Sequence, residues 1–327
     1  KLSEHPMSNV KELIASMSLP VIAAPMFTVS NPEMALATCA QGMMGTFPAH
    51  TTRNVEMLED WLTTMADGLG RLKAENNGPV GPYGVNLVVH GTNLRLAGDL
   101  ELCIKHKVPV ILTSKGAPGA VFDAVHAYGG LVFHDIASAR HAEKALDAGA
   151  DGLIAVCGGA GGHCGTINPF ALVNEVRQMT DKTIILAGAI TTGRDVLTAQ
   201  VMGADLVYMG TRFINTEESG AKDGYRQMIM EANATDIFFT AVMDGAPANL
   251  LAPSLIRAGV DLDGLKRQTP GAIVAADEGR KHWKDVWSAG HGVGSINDVL
   301  SVAALGDRLK AEYKAAKGDL GRFQAIV

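Results

Sequence analysis

The sequence predicts an α/β protein, a (β/α)8 barrel with a smaller C-terminal helical lid domain. Three observations point to it. Eight short apolar runs alternate with amphipathic segments from residue 20 to about residue 215. Each run is nearly continuous in apolar character, as parallel strands covered on both faces should be. Several runs end in glycine-rich turns, the place where loops of such barrels carry their chemistry. A doubly wound sheet is the alternative, because the same alternation serves both architectures.

The strand candidates are residues 20–24, 43–47, 83–89, 109–113, 130–134, 152–157, 183–187 and 206–209. Helical patterns fill the gaps at 32–41, 55–73, 94–106, 118–127, 137–148, 169–179 and 194–201. Two units share a signature, Ala-Gly-Ala-Asp-Gly at 148–152 and Met-Gly-Ala-Asp-Leu at 202–206. There Gly149 and Gly203 end a helix in the left-handed conformation and feed the next strand. This is an αβ turn of the barrel floor, a structural signal. After Phe213 the alternation weakens, and Pro247, Pro253 and Pro270 break up a helical, loop-rich stretch. The expected organisation is a barrel over 1–216, a helical substrate or lid domain over 217–290, and a segment 291–327 packing back on the barrel. The last helix of that segment is expected near 297–317.

The composition of the 327-residue chain is globular, with 47% hydrophobic and 19% charged residues. A net charge of −6, without basic runs interleaved with aromatics, argues against nucleic-acid or anionic-membrane partners. No apolar stretch reaches the ~18 residues of a membrane span, and the N-terminal residues lack a signal-peptide pattern. A cytoplasmic location is expected. Cys39, Cys103, Cys157 and Cys164 form no Cys-x-x-Cys pair, so they read as reduced thiols. The ten histidines show no metal-ligand spacing, and no metal site is expected.

The most informative run is Gly-Gly-Ala-Gly-Gly-His-Cys-Gly at 158–165, after the apolar run 153–156. Glycines at this density let backbone N–H groups come close to a ligand. His163 is the one large polar side chain among them, placed to act as an acid or base beside a flat or anionic cofactor. The plainer reading is a flexible loop with a solvated histidine. Cys164 reads as a nucleophile or, more simply, as a small residue filling tight space. Ala187-Gly188-Ala189 and Gly210-Thr211 end the seventh and eighth runs, where barrels of this kind commonly build a phosphate site. Ordinary turns that need glycine for their shape are the competing explanation.

Other positions just after strands are Ala24-Pro25-Met26, Asn86, Ser114-Lys115 and His134-Asp135. Asn86 either bonds a ring edge or caps its strand. Lys115 and Asp135 either point into the site or pair with each other. His134 is a ligand or a half-buried strand-end residue. No Gly-x-Ser-x-Gly elbow is present. Nor does an acidic partner follow the glycine run as a dinucleotide site requires.

Five motifs occur in the order seen in nitronate monooxygenases, formerly called 2-nitropropane dioxygenases. They are Pro-Val-Ile-Ala-Ala-Pro-Met at 20–26, Gly-Val-Asn-Leu at 84–87, Ala-Gly-Gly-His-Cys-Gly at 160–165, Ala-Gly-Ala at 187–189 and Met-Gly-Thr-Arg-Phe at 209–213. The resemblance spans 20–215 and resumes at Trp-Ser-Ala-Gly-His-Gly, 287–292. The Gly-Gly-His and Gly-Thr-Arg-Phe motifs are shared with flavin-dependent enoyl-acyl-carrier-protein reductases and some NADH:quinone reductases. The sequence departs from many relatives at His291, where they carry glutamine, and Asp135 stands where one NADH-using relative carries lysine.

The resemblance implies a TIM barrel that binds FMN, with a second domain over the flavin. By motif, Pro25 and Met26, next to Ala24, would lie against the ring, with Asn86 close to it and Asp135 among the cofactor contacts. Gly161 and Gly162 would approach the flavin, the backbones of Ala187, Gly188, Ala189, Gly210 and Thr211 would hold its phosphate, and His163 would be catalytic. The implied reaction oxidises an alkyl nitronate with O2 to a carbonyl compound and nitrite. An NAD(P)H-dependent FMN reductase of quinones or enoyl thioesters is the alternative, and a phosphate-binding barrel without flavin is the second.

Overall fold

The computed structural model describes residues 9–75, 78–116, 119–241, 243, 245–267 and 285–321. Eight parallel strands form the barrel: β1 (Val21–Ala23), β2 (Gly45–Pro48), β3 (Tyr83–Val88), β4 (Val110–Ser114), β5 (Leu131–Ile136), β6 (Gly152–Val156), β8 (Thr183–Ala187) and β9 (Leu206–Met209). Their order is β1-β9-β8-β6-β5-β4-β3-β2. A parallel bridge between Ile22 and Met44 joins the first and last strands and closes the ring. Helices α2 (Pro32–Ala40), α3 (Val55–Glu75), α4 (Leu96–Lys105), α5 (Gly119–Ala127), α6 (Ala139–Asp147), α7 (Pro169–Met179) and α8 (Gly193–Val201) surround it.

The helix starts follow from their caps. Asn31, Ser138 and Asn168 each accept an N–H of the first turn, with proline following both asparagines. Thr192 and Asp195 close a reciprocal capping box on α8. The two Gly-Ala-Asp turns take the expected form, with Gly149 at φ +97° and Gly203 at φ +104°. Their aspartates add a tie: Asp151 accepts the Val132 N–H and Asp205 the Ile184 N–H, each at 2.8 Å.

Two hydrophobic layers result. The larger lies between strands and helices and includes Val21, Phe47, Val85, Ile111, Leu153 and Val207. The second fills the barrel interior with Ile22, Met44, Val110, Leu112, Phe133, Ile154, Ile185 and Leu206. A short helix not foreseen from the sequence, α1 (Val10–Ala15), drives Leu13 into this interior cluster.

Beyond the barrel come α9 (Thr211–Ile214), α10 (Asp223–Glu231), α11 (Ala252–Arg257), α12 (Leu262–Arg267) and α13 (Val302–Asp319). The cover expected to be helical is mixed. β10 (Ile237–Thr240) and β11 (Ala248–Leu251) form an antiparallel pair, and β7 (Gly162–His163) adds to β11. Pro270 lies outside the described residues.

Helix α13 packs back on the barrel, and an ion-pair network around the buried Arg212 fastens it. Arg212 reaches Asp298 at 3.0 Å and the backbone oxygens of Asn215 and Asp298. Asp298 also meets Arg308 at 2.8 Å. Burial opposes its charge, but the two guanidiniums outweigh that and hold its carboxyl below the usual range. Arg212→Met should therefore lower unfolding free energy by about 2 kcal/mol, mainly the cost of orphaning two carbonyls and removing one partner of a half-buried carboxylate. Urea melts measure it, and a loss under 1 kcal/mol would show that the pair is not a fastening.

Candidate active site

The C-terminal ends of the barrel strands form a mouth, and alternation decides which side chains enter it. Asn86, Ser114, Asp135, Val156, Ala187 and Tyr208 share the inward phase of the interior core residues two positions earlier in β4, β5, β6, β8 and β9. Asn86 is buried, and its Nδ2 donates to Leu112 O at 3.1 Å and Ser114 Oγ at 3.3 Å. Tyr208 was not foreseen, being hidden within an apolar run. Burial, and then the nearby Asp135 carboxylate, push its phenol well above the ordinary range.

Strand β5 runs two residues farther than expected, so Asp135 lies inside it and not after it. The residue is half-buried, but its Oδ1 is sealed from water and has no hydrogen-bond partner among the described residues. Burial raises its carboxyl from 3.8 to about 7. No ion pair joins it to Lys115 among the described residues. The neighbouring His134 faces the other way, toward the helices. Its Nδ1 pairs with Thr113 Oγ1 at 2.8 Å and its ring meets Phe122 edge-on, which answers the ligand reading with a core residue. Burial lowers this imidazole to about 4.

The raised Asp135 carboxyl has a consequence for stability. The folded protein holds this proton more tightly than the unfolded chain, so the contribution is full below about pH 4. It fades as pH rises toward 7. Asp135→Asn cannot ionise. In flavin-free protein its stability relative to wild type should improve by about 2 kcal/mol between pH 4.5 and pH 8, allowing for partial exposure. Urea melts at both values test the sign, and a pH-independent difference would mean that the carboxyl is already ionised in the fold.

The glycine run closes over the mouth. His163 in β7 pairs with Ala248 of β11, and Asn249 Nδ2 donates to Ala160 O at 2.7 Å. A Cβ at Gly161 would lie 2.8 Å from the Ala289 carbonyl carbon and from Gly290 N, so only glycine lets the segment 289–290 cross there. The imidazole of His163 is half-buried, with Lys115 Nζ 3.5 Å from its Nε2. Lys115 takes φ +56°, a strained conformation for a residue with a side chain, at the end of β4. Ser288, beside Gly162, was another residue missed by the sequence reading.

On the other side of the mouth, Ala187 pairs with Tyr208, which sets the loops after β8 and β9 side by side. Gly188 has φ +144° and Ala189 has φ +54°. Among the described residues, no acceptor is found for the N–H groups of Gly188, Ala189, Gly210 and Thr211. Four free donors at adjacent strand ends fit an anion. The start of α8 does not join them, because Asp195 takes the Thr191 and Thr192 N–H groups and Glu312 takes that of Gly193. Ala24 is buried, Pro25 and Met26 are half-buried, and Ala24 Cβ and Met26 Sδ face Gly210. Of the residues singled out from the sequence, Asn86, Ser114, Asp135 and Ala187 share the inward phase at the strand ends, Ala24 and Met26 lie against Gly210, and His134 faces the helices instead.

A family model for nitronate monooxygenase matches residues 8–312. The chain belongs to the nitronate monooxygenase family. It is thus an enzyme of a flavin oxidoreductase family. A probable nitronate monooxygenase of Staphylococcus haemolyticus is 26% identical over 317 residues, covering 86% of this chain and 85% of the relative. A Rhodococcus jostii relative, (3aS,4S,5R,7aS)-5-hydroxy-7a-methyl-1-oxo-octahydro-1H-indene-4-carboxyl-CoA dehydrogenase, is 27% identical over 242 residues. That match covers 73% of this chain and 64% of the relative's length. Among solved structures, FabK from Thermotoga maritima superposes with a TM-score of 0.77 at 26% identity, covering 96% of this chain and 98% of that one. Among the described residues, no helix is long and apolar enough to cross a membrane, and no metal-binding cluster occurs.

Proposed function

We propose that this family member is an FMN-dependent nitronate monooxygenase that oxidises alkyl nitronates with O2 to carbonyl compounds and nitrite. The observation carrying this reading is a histidine–lysine pair and four backbone donors without an acceptor among the described residues, all at the strand ends of one barrel. The donors fit a phosphate monoester, and the sequence offers no dinucleotide turn for the second half of FAD. Ala24, Pro25, Met26, Asn86, Asp135, Gly161 and Gly162 would hold the ring. The backbones of Ala187, Gly188, Ala189, Gly210 and Thr211 would hold the phosphate.

FMN, when bound, would supply the redox chemistry that links substrate oxidation to O2 reduction. The chain's own residues bind and orient. Lys115 places a positive charge at the mouth, where it attracts an anionic nitronate. A hydrogen bond between the two would run from the ammonium, which has no acceptor, to a lone pair on His163 Nε2. That is the form a base needs to take the α-proton of a neutral nitroalkane. The pairing of β7 with β11 holds the backbone of His163 and would keep bulk water off one side of the reaction.

The test begins with the visible spectrum and with mass identification of the cofactor released by heat, which should be FMN. Anaerobic ethyl nitronate should then bleach the flavin without NAD(P)H. The second reading, an NAD(P)H-dependent reductase, draws support from the relative named as a CoA-thioester dehydrogenase. Rapid bleaching by NAD(P)H with none by nitronate would replace the first reading with the second. A protein that takes up no flavin at all would remove both.

A further inference from the structure

The segment after Trp287 lies across three loops of the mouth. Gly290 N donates to Thr211 Oγ1 at 2.9 Å, and His291 N donates to Gly159 O at 2.9 Å. Thr191 and Ser295 share a hydroxyl hydrogen bond of 2.6 Å. A Cβ built on Gly159 would sit 3.3 Å from His291 Nδ1 and 3.7 Å from Ala189 Cβ. The imidazole therefore stands beside the loop whose N–H groups at Gly188 and Ala189 have no acceptor among the described residues.

We propose that His291 is a titratable member of this anion site, so that the protein grips the cofactor phosphate more tightly in acid than in base. The proposal rests on the FMN reading above. Its basis is placement: an exposed imidazole borders a cradle of uncharged donors. A protonated imidazole would give that cradle a charge-assisted contact.

The charged groups on the elements packed around it are already engaged. Asp195, behind Thr191, takes backbone N–H groups at the start of α8. Asp236 caps the turn at Asn233, which lies against Gly294. Arg212 and Asp298, behind Thr211, pair with each other, and Glu312 takes Gly193 N. His163 lies at the far end of the glycine run, paired with β11.

FMN is itself the probe. Its dissociation constant is measured by flavin fluorescence from pH 5.5 to 8.5 for wild type, His291→Gln and His291→Ala. The phosphate also titrates in this range, near pH 6. Its contribution is common to all three proteins, so the ratio of variant to wild-type constants isolates the imidazole. That ratio should be about tenfold at pH 5.5 and fall to about twofold at pH 8.5. Riboflavin, which has no phosphate, should show a flat ratio. A flat FMN ratio, or an equal slope with riboflavin, overturns the role of His291 while leaving the cofactor reading intact. Failure of wild type to bind FMN at any pH sinks the cofactor reading instead. Far-UV circular dichroism confirms that the variants are folded, and agreement between Gln and Ala shows that the effect follows the charge.

Discussion

Replacing His163 with asparagine is expected to slow oxidation of a neutral nitroalkane about 10²- to 10⁴-fold, the usual cost of removing a positioned base. The preformed nitronate of the same compound should lose far less, because its proton has already gone. The structure makes the comparison clean. His163 is held through its backbone by β11, so the asparagine variant keeps the strand and loses only the ring. Lys115 remains in place to attract the anion. The quantity to measure is kcat/KM for both forms at one pH, with correction for slow reprotonation of the nitronate. Equal losses would make His163 a positioning residue, and no loss would take it out of the site.

Gly210→Asp should abolish FMN retention while leaving the fold intact. Gly210 has φ −100° and ψ −69°, which does not demand glycine. A Cβ there finds Ala24 Cβ and Met26 Sδ at 3.7 Å, ordinary contact distances. The variant should therefore fold, with its carboxylate set among the free donors. It would fill the cradle and repel a phosphate by about 4 kcal/mol per charge pair at 4 Å and an effective dielectric constant of 20. The dissociation constant should rise at least about 10³-fold. Gly210→Asn, similar in shape but uncharged, should lose much less. Full flavin occupancy in the aspartate variant would show that the phosphate is bound elsewhere.

The barrel was legible because each strand announces itself in a few consecutive residues. Residues 183–187 and 206–209 were bounded to the residue, and the other six within two positions. The discrepancy that mattered was at β5, where polar His134 and Asp135 look like the end of a strand. Alternation continues through them, sending one side chain outward and the other into the mouth. Tyr208 was hidden for the opposite reason, since a tyrosine inside an apolar run reads as core. The sheet of β10, β11 and β7 left almost no local trace. Gly162 and His163 are too short a strand to show a period, and their pairing with Ala248 and Asn249 spans more than 80 residues of chain. Motif resemblance drew the site residues together; Lys115, Ser114 and Asn86 could also be placed by their position after or late in a strand. The four N–H groups without an acceptor among the described residues, by contrast, could be found only in three dimensions.

The pairing of β7 with β11 makes His163 a tenant of two structures at once. Its sequence neighbours anchor to the rim of β6, with Gly165 N bonded to Val156 O, while its own backbone is stitched to the cover. Any motion that lifts β11 must unzip that stitch or carry the imidazole away with it. Under the proposed role of His163, an entry route that lifts β11 would exclude reaction while it is open, because the door and the working tool would be the same short strand. Turnover in such a machine would be timed by reseating the histidine, and substrates small enough to slip past a closed cover would escape that delay.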